Sequence, residues 1–248
     1  MVNIVELVDS HVHLHEYGDS WAKYCDGNYL MVAVSDDLDS SLKTLDISKR
    51  CSFVLPAVGV HPWNADKVLP EEVLARTERL VIEGRVKVLG EVGLDRSFRA
   101  ETYDAQMKLF LGFLKIATEY ELGVSIHAAG AWKDVFSLVK SYKVPTAVFH
   151  WYTGPHDLLN EIVAEGYFIG INPAIIVQKK HEDVLRRAPL EAILTESDGP
   201  YRYRGMTLGP EMLKDLVRKV AEIKSIDPEV VIEQVKRNFI TFLSNIRA

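Results

Sequence analysis

The sequence predicts an α/β protein, a single (β/α)8 barrel of the TIM type. Three observations predict it. Short apolar runs alternate with helical patterns from end to end, eight of each. Most of these runs are continuous in Val, Ile, Phe and Tyr, as parallel strands buried on both faces require. The length, 248 residues, suits one such barrel, which commonly runs roughly 200 to 250 residues. An open doubly wound sheet is the alternative arrangement of the same pattern.

The elements follow in order. The first strand is read at 4–8 and leads to His11 and His13. The second is 29–34, and a weak helical pattern over 39–48 separates it from the third, 53–59. A helix over 70–83 opens on Pro70 and stops at Gly84, because proline suits a first helical turn and glycine an exit. Strand four is 86–89. The helix over 102–121 sets Met107, Leu111, Leu114 and Ala117 on one face. Strands five to eight are 123–126, 146–149, 167–171 and 192–195, with helices over 131–141, 157–165 and 181–188 between them. Helices over 210–223 and 228–246 finish the chain. No Gly-, Pro- or Ser-rich linker divides it, so residues 1–248 read as one domain.

Composition bounds the function. The chain is 48% hydrophobic and 26% charged, enough to build a large core without staples. A net charge of −6 argues against broad nucleic-acid coating, which wants a basic face. That count omits any bound cation, which would reverse the local sign. No apolar run approaches the ~20 residues of a membrane span. The start, Met1 to Glu6, has neither a basic nor a long apolar stretch. The expectation is a cytoplasmic protein with no membrane contact and no obligate protein partner. Cys25 and Cys51 are expected to be two reduced thiols.

Metal-ligand residue types gather at predicted strand ends. His11 and His13 follow strand one, and residues two apart on an extended chain share a side. Glu91 ends strand four, His127 strand five and His150 strand six, while Asp198 follows strand eight. A barrel brings the C-terminal strand ends to one face, where active sites lie. Four imidazoles and two carboxylates suit zinc or manganese, with magnesium or nickel also possible. Glu91 can bridge two divalent ions through its two oxygens. One ion is expected on His11, His13, Glu91 and Asp198, the other on Glu91, His127 and His150. Asp198 is the candidate general base for an attacking water. Gly-x-Ser-x-Gly and phosphate-loop motifs are missing from the sequence.

These residues resemble a family. Asp9-Ser10-His11-Val12-His13, Gly59-Val60-His61-Pro62, Gly90-Glu91-Val92-Gly93-Leu94-Asp95, His127, His150 with Gly154, and Glu196-Ser197-Asp198-Gly199-Pro200-Tyr201 are similar to the motifs of the TatD metal-dependent deoxyribonucleases, within the amidohydrolase superfamily. The resemblance implies a (β/α)8 barrel, two divalent metals and phosphodiester hydrolysis, often 3′ to 5′ on DNA. It makes His61 a pocket histidine that contacts substrate. Three departures bear on substrate. His15 stands where the family often has Asp. Ala128, Ala129, Gly130 and Ala131 follow His127, where the family commonly has a basic residue. His150-Trp151-Tyr152-Thr153-Gly154 replaces a more typical His-Cys-Phe-Ser-Gly.

Substrate contacts are expected from the loop Tyr201-Arg202-Tyr203-Arg204, whose cations suit phosphates and whose rings suit bases. Arg96 and Arg99 are further candidates, and Lys179 and Lys180 weaker ones. Trp63, Trp132 and Trp151 follow three strands and would wall a pocket or seal loops. His156 and His181 are expected at the surface. Two rival functions share the sequence: cleavage of an amide, ester or lactone at the same metals, and a non-catalytic binding barrel.

Overall fold

The Val- and Ile-rich runs close into the ring that their pattern predicts. In this computed structural model, which describes residues 7–246, eight parallel strands lie side by side in chain order. They are β1 (Leu7–Val12), β2 (Tyr29–Ala33), β3 (Val54–Val58), β4 (Val88–Gly93), β5 (Gly123–His127), β6 (Thr146–Phe149), β7 (Phe168–Ile171) and β8 (Ile193–Thr195). Helices α1 (Leu38–Arg50), α2 (Pro70–Ile82), α3 (Tyr103–Glu119), α4 (Trp132–Ser141), α5 (His156–Ala164), α6 (Lys179–Arg187), α7 (Leu213–Lys224) and α8 (Pro228–Ser244) accompany them. The ring is drawn shut where β8 meets β1. Thr195 Oγ1 donates to Val8 O at 2.6 Å, and Asp198 N donates to His11 O at 2.9 Å.

Boundaries shift most where polar residues extend a strand. β1 runs on to Val12 and β4 to Gly93, so His11 and Glu91 lie within strands rather than after them. Residues 4–6 of the first predicted strand lie outside the described residues. The core sits between strands and helices, with Leu89, Val124, Phe149, Phe113, Leu114 and Phe242 all buried. Each such side chain contributes roughly 1.5–3 kcal/mol on leaving water. Helix α1 starts on a reciprocal cap: Asp37 Oδ1 accepts from Ser40 N at 2.8 Å, an interaction worth about 1 kcal/mol.

Three findings differ from the sequence reading. The loop after β8 folds into a small antiparallel hairpin, β9 (Arg202–Tyr203) and β10 (Met206–Thr207). Its turn is Arg204-Gly205, with φ of 46° and 85°, a conformation that glycine supplies readily. Cys25 and Cys51 are bonded to each other. The expectation of two free thiols is therefore corrected. The segment Leu14–Tyr24 folds back and delivers Cys25 to the end of α1, a proximity that a separation of 26 residues does not reveal. Finally, His181 is buried, not at the surface. It accepts from Asn172 N at 3.1 Å and faces Tyr152 O at 3.1 Å, pinning α6 beneath two loops.

Candidate metal centre

The barrel's C-terminal mouth collects the predicted ligands into one cluster. His11, at the end of β1, is held by Ser125 of β5, whose Oγ lies 2.8 Å from Nδ1. That bond leaves His11 Nε2 facing the centre. It lies 3.2 Å from Glu91 Oε2 and 3.7 Å from Asp198 Oδ1. His13 Nε2 lies 3.4 Å and 3.6 Å from the same two oxygens. His150 stacks on His11 with ring centres 3.6 Å apart, and its Nε2 is 3.6 Å from Asp198 Oδ1.

Glu91 divides this cluster. Its Oε2 faces His11 and His13, while its Oε1 lies 2.8 Å from His127 Nδ1 and 3.5 Å from His61 Nε2. His61 thus stands beside His127 at the second oxygen, whereas His150 turns toward Asp198. The sequence reading had grouped His150, not His61, with His127. Asp198 holds a left-handed backbone, φ 55°, which turns its carboxylate back over the mouth.

These donors fit metal ions. His11 Nε2 is buried and makes no hydrogen bond among the described residues, although two carboxylate oxygens approach it. Imidazole and carboxylate atoms on one tetrahedral ion with bonds near 2.1 Å stand about 3.4 Å apart. The 3.2–3.7 Å spacings around His11 and His13 are of that kind.

A ring of further carboxylates orients the imidazoles, and the sequence reading gave these no role. Glu196 Oε1 lies 3.0 Å from His150 Nδ1 and accepts from Trp151 N at 2.8 Å. Asp95 Oδ2 lies 2.9 Å from His127 Nε2 and accepts from Trp63 Nε1 at 2.6 Å. Asp36, just past β2, lies 3.2 Å from His13 and 3.0 Å from His15. The strand-end rule that found the other ligands applies to Asp36 as well, since it follows Val34-Ser35. Gly170 is demanded by this ring. A Cβ there would meet Glu196 Oε2 at 1.9 Å.

Charge follows from the same contacts. Burial is the largest influence on His127 and disfavours its cation, but hydrogen bonds to Asp95 and Glu91 outweigh it and push its pKa up to about 9. For His150, burial again opposes, yet the charges of Glu196 and Asp198 prevail and push it up to about 9. His11 shifts the other way, lowered by burial and then by His150. Burial disfavours the Glu91 anion, but the surrounding histidines hold it well below the carboxylate range.

The sign for His127 and His150 is fixed. A histidine raised from 6.5 to about 9 lends stability that is complete below 6.5 and lost as pH rises through 9. Metal-stripped protein should therefore lose melting temperature between pH 6.5 and 9. Ion affinity should climb over the same window, because binding displaces those protons. Thermal melts with chelator and calorimetric metal titrations check both halves.

Above the centre lies a cavity of about 510 Å³. Trp63 and Phe98 stand on one side of it, and Trp151, Tyr201 and Tyr203 pack together on another. Trp132 also lines it. Among the described residues the lining cations are Lys67 and Arg99, and Arg99 is bonded to Glu101 and Asp66. Arg96 lies outside, on Asp134 at 2.8 Å and over the Tyr103 ring. Arg202 is exposed on the hairpin, and Arg204 donates to Val177 O at 2.9 Å. Lys179 and Lys180 begin α6 and do not line the cavity.

A parallel barrel with histidines and carboxylates converging at its mouth defines a metal-dependent hydrolase. The chain matches the family described as TatD related DNase over residues 8–244, and it belongs to that family. It is 27% identical over 250 residues to an uncharacterised metal-dependent hydrolase of Methanocaldococcus jannaschii, covering 96% of this chain and 97% of that one. It is 28% identical to a Homo sapiens protein named Deoxyribonuclease TATDN3, covering 98% and 96%. A Schizosaccharomyces pombe protein named Deoxyribonuclease Tat-D is 29% identical over 198 residues, covering 74% of this chain and 64% of that one. A crystal structure of YJJV, a TatD homologue from Escherichia coli, superposes with a TM-score of 0.87 at 21% identity over 96% of this chain and 98% of that one. No helix of the described residues is long and apolar enough to cross a membrane.

Proposed function

We propose that the protein hydrolyses phosphodiester bonds of DNA, using two divalent ions (zinc, manganese or magnesium) held across Glu91. The observation that carries this reading is the division of Glu91, with one oxygen toward His11 and His13 and the other toward His61 and His127. His11, His13, Glu91 and Asp198 would hold one ion. Glu91 and His127 would hold the second. The deoxyribonuclease names of the human and fission-yeast relatives support DNA as the substrate.

Bound divalent ions supply a water acidified toward neutrality and positive charge for the phosphate oxygens. The residues do the rest. Asp198 Oδ1, ringed by three imidazoles, accepts the proton of the attacking water. His61 reaches the mouth beside Glu91 and orients the phosphate. The aromatic walls receive bases, each stack being worth about 1–3 kcal/mol, and Phe98 and Tyr201 are the exposed rings among them. Arg96, Arg202 and Arg204, which lie outside the cavity, serve the flanking strand.

The test is an assay of the manganese-, magnesium- or zinc-loaded protein on labelled single- and double-stranded DNA beside a panel of esters, amides and lactones. Absence of DNA cleavage with every metal, together with brisk ester hydrolysis, overturns the reading. Asp198→Asn is expected to lower kcat by roughly 10²–10⁴-fold, the usual worth of a general base. Metal content, measured by elemental analysis, should fall far less.

A further inference from the structure

Trp63 belongs to both halves of the site, the aromatic wall and the histidine cluster. It follows β3 in the 3-10 turn Pro62–Lys67 and lines the cavity. Its ring meets Phe98 with centres 6.0 Å apart, and Phe98 is 70% exposed, so this wall is open to an arriving base. Its indole Nε1 donates to Asp95 Oδ2 at 2.6 Å. The same oxygen lies 2.9 Å from His127 Nε2. One carboxylate oxygen therefore joins the wall to a histidine of the centre.

The linkage is held from several directions. Asp95 is fully buried, and its Oδ1 accepts from Phe98 N at 2.8 Å. Its own N–H donates to Gln106 Oε1 at 2.7 Å. Gln106 Nε2 donates to Arg99 O at 2.7 Å, and Arg99 Nη1 donates to Trp63 O at 3.1 Å. The loops after β3 and β4 are thus tied to each other around the indole. The Trp151 indole, on another wall, finds a neutral acceptor instead, Gln178 Oε1 at 2.7 Å. The acceptor of Trp63 is the acid that orients His127. A carboxylate fixed in this way fixes the imidazole it holds, in ring direction and in which nitrogen is left bare. For His127 that nitrogen is Nδ1, 2.8 Å from Glu91 Oε1.

We infer that Trp63 is a positioning residue. Through Asp95 it sets the His127 ring for an ion shared with Glu91, while its own ring serves the wall. Without the indole N–H, Asp95 loses one of its two side-chain donors and is free to turn, and His127 turns with it. The role of the ring rests on the wall being a base site. The role of the N–H does not, and the experiment separates the two.

Equilibrium dialysis against Mn²⁺ measures ion affinity, and a rate assay on labelled single-stranded DNA at saturating Mn²⁺ measures kcat and KM. Trp63→Phe keeps a ring on the wall and removes the donor. One bound ion should loosen by about tenfold, while KM stays near that of the wild type. Asp95→Asn should loosen the same ion. Adding Trp63→Phe to it should cost little more, because the indole acts through that acid. Phe98→Ala keeps the backbone N–H on Asp95 and removes the neighbouring ring. Its ion affinity should hold while KM rises about fivefold or more. Trp63→Leu, which also lacks a donor, carries the metal half if Trp63→Phe fails to fold. Unchanged ion affinity in the folded Trp63 variant, or full additivity with Asp95→Asn, overturns the inference. A loosened ion in a protein that cleaves no DNA supports the positioning role and removes DNA as the substrate. Cleavage of DNA with unchanged ion affinity does the reverse.

Discussion

Glu91→Gln is expected to leave a folded barrel that holds neither ion and turns over no substrate. Glutamine keeps the shape of a side chain that is 2% exposed and removes only its charge. That charge is what four imidazoles share: His11 and His13 at one oxygen, His61 and His127 at the other. Losing both ions forfeits several kcal/mol of transition-state stabilisation, which at 1.36 kcal/mol per decade is a loss of about 10³-fold or more. Elemental analysis and a rate assay on one preparation check it. Full activity with two ions bound would refute the bridge. A variant that kept one ion would show instead that the two groups load independently.

Gly93→Ala should be strongly destabilising for a change of a single methyl. Gly93 ends β4 with φ of 151°, a conformation side chains rarely adopt. A Cβ there would stand 1.8 Å from the His127 carbonyl oxygen, which is backbone and cannot swing aside. Strands β4 and β5 would have to part at the level of Glu91 and His127. The expected loss is about 3 kcal/mol or more. For a chain of this length that lowers the melting temperature by roughly 6–12 °C. Metal binding should weaken with it, because His127 moves with the strand. Differential scanning calorimetry and a metal titration give both numbers. A melting point within a degree of the wild type would show that the strands accommodate the methyl freely.

Much of the site was legible in the chain because one rule governs it. In a barrel, the residue at the C-terminal end of a strand faces the mouth, so a histidine or carboxylate there needs no knowledge of its partners. His11, Glu91, His127, His150 and Asp198 were found that way. Asp36 obeys the same rule and was passed over because its motif is unremarkable. Glu196 and Asp95 lie inside family-like motifs, but their roles depend on which imidazole nitrogen they touch. Arg96, Arg202 and Arg204 were reasonable contacts by position and type. Their guanidinium groups lie outside the cavity, on Asp134, in solvent and on Val177, where the proposed contact is with the flanking strand.

Fold class, strand order and the end of the barrel that bears chemistry can all be read along the chain. Those properties follow from hydrophobic period and from residue type at strand ends, both of which are local. The division of the donors is a property of the folded barrel. It placed His61 beside His127, turned His150 to Asp198, joined Cys25 to Cys51 and buried His181. Each of these depends on the few ångströms between atoms on different strands and loops. That spacing is set by barrel closure and loop packing, and no neighbouring residue in the chain encodes it.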